Sequence, residues 1–153
     1  MGKIGIDFDG TCIPQLPESG ILIGDYNTGA ETVLKELISK GHKLYLWSCR
    51  SDSPKDPYNW DGSELRKESC LEYAKRWFKE RGIPLSDLGK DDVSCNRKPL
   101  FDLVIDDISL GSKSKNIKVE YVILDGTGEV KECMAEFLDW EWAYYQLKER
   151  GLL

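Results

Sequence analysis

Hydrophobic residues recur with two periods along this chain, and the changes of period mark its elements. Lys3-Ile4-Gly5-Ile6-Asp7-Phe8 is an apolar run leading into the acidic turn Asp9-Gly10, and it reads as a buried strand. The Pro- and Gly-rich stretch from Cys12 to Asn27 reads as a loop. Thr28 and Glu31 have capping-box spacing, which predicts a helix from there to Gly41, a residue suited to the position just past a helix. Lys43 to Trp47 is the next strand, and a punctuated loop covers 51–62. Ser63 is placed to cap a helix running to about Arg81, with Leu71, Ala74, Trp77 and Phe78 on its apolar side and Gly82 as its stop. Further strands are predicted over 93–95, 102–105 and, most clearly, 119–124. On a helical wheel Val130, Met134, Phe137, Trp140, Tyr144, Tyr145 and Leu147 share one half of the circumference, which predicts a long closing helix ending near Arg150. Trp142 falls on the polar flank of that wheel.

Strands alternating with helices predict an α/β fold, a parallel sheet with helices on both faces, in one domain spanning residues 1–153. Ligands of such sheets gather at the carboxyl ends of the strands. Composition changes the picture only at its edges. With 41% hydrophobic and 31% charged residues the chain is globular in character. A net charge of −6 argues against a surface that coats nucleic acid. No apolar run approaches the ~18 residues of a membrane span, and Asp7 and Asp9 interrupt the place where a signal peptide would be apolar. The five cysteines have no Cys-x-x-Cys spacing, so a reducing, cytoplasmic location is expected.

Chemistry concentrates at the predicted strand ends. Asp7-Phe8-Asp9-Gly10-Thr11 leaves the first strand, Ser48 ends the second, Lys98 precedes the 102–105 strand, and Asp106-Asp107 ends it. Alone, each has a plain explanation: a capped turn, a structural hydroxyl, a solvated lysine, a pair of caps. Together they bring four carboxylates, a hydroxyl and an ammonium to one sheet edge. Carboxylates so crowded raise one another's pKa unless a cation sits among them, and an oxygen-only donor set favours Mg²⁺. Asp125-Gly126-Thr127 repeats the first turn without a paired carboxylate, since Ile123 stands where Asp7 does, and it reads as a turn.

In order and spacing these four groups resemble the motifs of the haloacid dehalogenase superfamily, mostly Mg²⁺-dependent phosphatases and phosphotransferases, over roughly residues 3–110. The resemblance implies a Rossmann-like three-layer core with a mainly parallel central sheet and an aspartyl-phosphate mechanism. Asp7 would be the nucleophile and Asp9 the general acid and then base. Ser48 and Lys98 would bind the phosphoryl group, with Gly10, Thr11 and Arg50 lining its pocket. Mg²⁺ would take the Asp7 carboxylate, the Asp9 carbonyl and Asp107, with Asp106 direct or through water. Gly111 stands where the fourth motif often carries another acid, and Lys90 and Arg97 compete with Lys98 for the third.

The intervals between motifs are too short for a cap domain, so an open site is expected, for a phosphorylated small molecule or macromolecular end. Tyr58 and Trp60 could stack on an aromatic group there, or plug the loop that carries them. The misplaced Trp142 points to a homodimer through the closing helix. Two other classes share the features: a phosphoacceptor signalling domain and a non-catalytic phosphate-binding domain. Receiver modules, however, phosphorylate an Asp on a central strand and carry their paired acids first, whereas Asp7 is on the first strand and Asp106-Asp107 come late.

Overall fold

The computed structural model describes residues 2–17, 20–48, 70–87, 101–108, 111–123 and 127–153. Its elements in chain order are β1 (Lys3–Ile6), β2 (Gly20–Ile23), α1 (Ala30–Ser39), β3 (Lys43–Leu46), α2 (Cys70–Glu80), β4 (Leu103–Ile105), β5 (Ser114–Ile123), β6 (Val130–Leu138) and α3 (Trp140–Glu149). The fold is α/β, with one parallel and one antiparallel sheet. The strand expected over 93–95, the loop over 51–62 and the Ser63 cap lie outside the described residues.

β1 is the centre of the parallel sheet, in the order β3-β1-β4. Ile6 is level with Leu46 on one side and with Ile105 on the other. The ladder runs one residue further, because Asp7 N–H donates to the Ile105 carbonyl at 3.0 Å and Trp47 N–H to that of Ile6 at 2.8 Å. The side chains that the sheet gives to the main apolar cluster are Ile4, Ile6, Phe8, Leu44, Leu46, Leu103 and Ile105. They alternate along each strand and so belong to one face. All three described helices join that cluster, α1 through Val33, Leu34 and Leu37, α2 through Ala74, Trp77 and Phe78, and α3 through Ala143 and Leu147. The opposite face carries Gly5, Tyr45 and Val104.

Of the antiparallel sheet, ordered β2-β5-β6, the sequence pattern announces only the strand over 119–124, whose residues up to Ile123 are the end of β5. β2 falls inside the stretch read as a loop, and β6 inside the expected closing helix. That helix is in fact a nine-residue strand followed by a ten-residue helix. β6 pairs with β5 from Ser114↔Leu138 to Val122↔Val130, turning Ala135 and Phe137 inward and leaving Met134 63% exposed. The break is made by Asp139, whose carboxylate accepts from the N–H groups of Glu141 (3.1 Å) and Trp142 (3.3 Å) and caps α3. The wheel therefore joined Val130, Met134 and Phe137 of the strand to Trp140, Tyr144, Tyr145 and Leu147 of the helix. On α3 itself Trp142 is half-buried against the core, which removes the reason for placing it in a dimer contact.

α1 also starts differently. Its N-cap is Gly29, with no side-chain cap, while Thr28 Oγ1 donates to the Cys12 carbonyl at 2.8 Å. The expected Thr28–Glu31 capping box gives way to a tether between the helix start and the acidic turn. Among the described residues no helix is long and apolar enough to cross a membrane.

Candidate active site

The acidic turn owes its shape to one carbonyl. Phe8 O accepts from the N–H groups of Thr11, Cys12 and Ile13 at 3.3, 2.9 and 3.3 Å, so the chain curls immediately after β1. Phe8 fixes the origin of that curl in the core. Its ring meets Trp77 at 5.7 Å and Tyr73 at 6.1 Å edge-on, and Phe78 at 5.9 Å. The residues flanking Phe8, Asp7 and Asp9, are both half-buried. The curl returns Thr11 to Asp7: its fully buried Oγ1 donates to Asp7 Oδ2 at 3.0 Å. Gly10 has φ +73°, and a Cβ there would collide with Asp107 Oδ2, so the turn demands glycine on two grounds.

Across the sheet, Asp107 comes within hydrogen-bond reach of Asp7. The Asp7 carboxyl is raised from 3.8 to about 7, first by burial, then by its hydrogen bond to Asp107 and the charge of that carboxylate; Thr11 and the Phe8 main chain oppose the rise. Two acids are thus arranged so that ionising both is unfavourable in the absence of a cation. Cys12, fully buried beneath them, has its thiol pushed well above its ordinary value by burial and by the charges of Asp7 and Asp9. It donates to the Asp7 carbonyl at 3.4 Å and serves the turn as a small apolar filler.

Of the residues expected at the site, Asp7, Asp9, Gly10, Thr11, Ser48, Asp106 and Asp107 all stand at the carboxyl edge of the parallel sheet. Thr11 and Asp107 each reach the Asp7 carboxyl. The fourfold carboxylate cluster is not gathered: among the described residues no group of three or more His, Cys, Asp or Glu side chains is close enough to hold a metal ion. Successive residues leave a strand on opposite sides, which separates Asp106 from Asp107. The pair that does meet, Asp7 with Asp107, is an all-oxygen donor set whose mutual repulsion a hard cation would relieve, and in that respect it fits Mg²⁺. Arg50, Lys98, Lys90, Arg97, Tyr58 and Trp60 lie outside the described residues.

Sequence reasoning missed the supports of the turn. Trp140, at the start of α3, donates from Nε1 to the Thr11 carbonyl at 2.8 Å while buried. Leu138 N–H donates to the Gly10 carbonyl at 2.8 Å, and Gln15 N–H to that of Glu136 at 2.7 Å, so the end of β6 is seamed to residues 10–15. The signal available was Asp139 as an N-cap directly before Trp140. The single histidine, His42, is engaged elsewhere. Its Nδ1 accepts from Gly2 N–H at 2.9 Å and its Nε2 lies 2.8 Å from the Leu152 carbonyl, at the amino edge of the sheet.

A scan against protein-family models gives no match, and neither does a search of curated proteins. Among solved structures the chain is similar to that of a conserved protein coded by a locus of Bacteroides thetaiotaomicron. The two share 26% identity over 97% of this chain and 91% of the other, with a TM-score of 0.55.

Proposed function

We propose that this chain is a Mg²⁺-dependent phosphomonoester hydrolase that works through an aspartyl-phosphate on Asp7, on a Rossmann-like three-layer core. The observation that carries the reading is the Asp7–Asp107 pair at the carboxyl edge of β1 and β4, with Thr11 orienting Asp7 Oδ2. A carboxylate that is half-buried, raised toward neutrality and backed by a second acid is poorly suited to a merely structural role. It suits a nucleophile whose ionised form is needed only when positive charge arrives.

The residues divide the work as follows. Thr11 fixes one Asp7 oxygen, leaving the other to attack phosphorus in line. As that oxygen–phosphorus bond forms, the bond to the leaving oxygen breaks, and Asp9 delivers its proton there. Asp9 then takes a proton from the water that attacks the phosphoryl group, releasing phosphate and restoring the Asp7 carboxylate. Ser48, at the end of β3, donates to a phosphoryl oxygen, and Lys98 and Arg50 would add charge. Asp7, Asp107 and the Asp9 carbonyl would hold Mg²⁺, which would neutralise the paired acids and the phosphate oxygens.

The phosphoacceptor reading shares the first half of this chemistry. β1 is first in the chain yet lies between β3 and β4, so the contrast between a first and a central strand no longer separates the two classes. Turnover does. Mg²⁺-dependent, catalytic release of p-nitrophenol from p-nitrophenyl phosphate supports the hydrolase, and stoichiometric labelling without turnover overturns it in favour of the phosphoacceptor. No reaction with either Mg²⁺ or a phosphodonor leaves only phosphate binding.

A further inference from the structure

Beside the nucleophile stands a side chain that neither the fold nor the phosphate chemistry requires. Trp47 extends β3 by one residue through its N–H bond to Ile6, which sets it next to Asp7 across the ladder and immediately before Ser48. Strand alternation places it on the face of Tyr45, opposite the core-facing Leu44 and Leu46. Its indole meets the Phe101 ring edge-on, with centroids 6.0 Å apart and planes at 72°. Phe101 is itself anchored, packed 5.6 Å from the Tyr45 ring and lying directly over Gly5, where any Cβ would strike it. The aromatic stack thus fixes the indole, yet 48% of Trp47 remains exposed. A rigid tryptophan kept half in water, one strand from a nucleophile, is a surface for another ring.

We propose that Trp47 selects phosphomonoesters whose leaving group carries a planar aromatic or heteroaromatic ring, which stacks on the indole while the phosphoryl group meets Asp7. This rests on the hydrolase reading of Asp7. Neighbouring parallel strands lie about 5 Å apart, so a ring a few bonds from the bridging oxygen reaches Trp47 without leaving the phosphate site. Gly5 contributes by absence: its missing side chain leaves room for the Phe101 ring, which meets the indole edge-on.

The test compares two non-hydrolysable ligands, benzylphosphonate and ethylphosphonate, by calorimetry on the full chain in Mg²⁺. Wild type should bind benzylphosphonate about tenfold more tightly, the scale of one stacked ring. Trp47→Leu should reduce that preference to within about twofold of unity, and Trp47→Phe should restore part of it. Equal binding of the two ligands by wild type, failure of benzylphosphonate to bind, or a preference that survives Trp47→Leu overturns the inference. Failure of the hydrolase reading is distinguishable, since a protein that shows the ring preference but turns over no phosphomonoester loses only the catalytic assignment.

Discussion

Trp140 Nε1 donates to the main-chain carbonyl of Thr11 at 2.8 Å, joining the first residue of α3 to the turn that orients Asp7 across 129 positions of sequence. Both partners are buried, so removing the donor leaves an unsatisfied carbonyl in the core. Trp140→Phe should therefore cost about 1–3 kcal/mol of stability, read as a lower denaturant midpoint. It should also lower kcat more than a stability loss of that size explains, because the Thr11 hydroxyl shares the displaced backbone. An unchanged kcat would confine Trp140 to the core.

Gly10 is constrained by its own backbone and by Asp107. Gly10→Ala places a methyl group at φ +73° and against Asp107 Oδ2. The backbone term alone is about 1–2 kcal/mol, and the collision moves the carboxylate off Asp7. Activity should fall at least tenfold, about 1.4 kcal/mol in barrier, and Mg²⁺ should bind more weakly. Retained activity would mean that the Asp7–Asp107 contact is dispensable.

Stability without metal should depend on pH in a direction opposite to most carboxylates. The folded value of Asp7, about 7, lies above its ordinary 3.8. Below the lower value Asp7 is protonated in both states, and the folded chain keeps its full stability. As pH rises toward the upper value, the unfolded chain ionises Asp7 and the folded chain resists, so stability is lost across that window. Asp7 is partly exposed, so the loss is about 1–2 kcal/mol after discounting for solvent. Chemical denaturation of wild type against Asp7→Asn in chelator should show the variant gaining relative stability from pH 4 to pH 7. Parallel pH profiles would contradict the shift.

Mg²⁺ should reverse that penalty. Millimolar Mg²⁺ should raise the melting temperature of wild type by several degrees through linkage. Asp107→Ala removes a ligand and should abolish most of the rise, while itself stabilising the metal-free protein by relieving the pair. Calorimetric scans with and without chelator check both signs, and no Mg²⁺ effect on wild type would remove the metal site.

β1, β3 and α1 were legible because each is a local pattern: an apolar run, a punctuated end, and for α1 the glycine at 41, which follows the C-cap Lys40 with φ +88°. Asp7, Thr11 and Asp107 were legible for the same reason, since strand ends of a parallel sheet converge. β2 was not, because four residues between Pro17 and Gly24 form a strand only when β5, about a hundred residues later, supplies the ladder. β6 carries Lys131, Glu132, Met134 and Ala135, all good helix formers, and pairing with β5 overrides that preference. A helical wheel accepts such a segment without protest; the alternation of Ala135 and Phe137, and the cap at Asp139, were the contrary signals. The hold of Trp140 on Thr11 is a tertiary contact that no spacing in the chain announces.

The central claim is covalent chemistry at Asp7, and its most direct test is the site of phosphoryl transfer. Wild type turning over p-nitrophenyl phosphate in Mg²⁺ is quenched in acid, digested and analysed by mass spectrometry. One phosphoryl group is predicted on the peptide holding Asp7, on the Asp7 side chain, and none in Asp7→Asn, which should also lose turnover. Turnover with no labelled peptide, or with the label on another residue, would contradict the account.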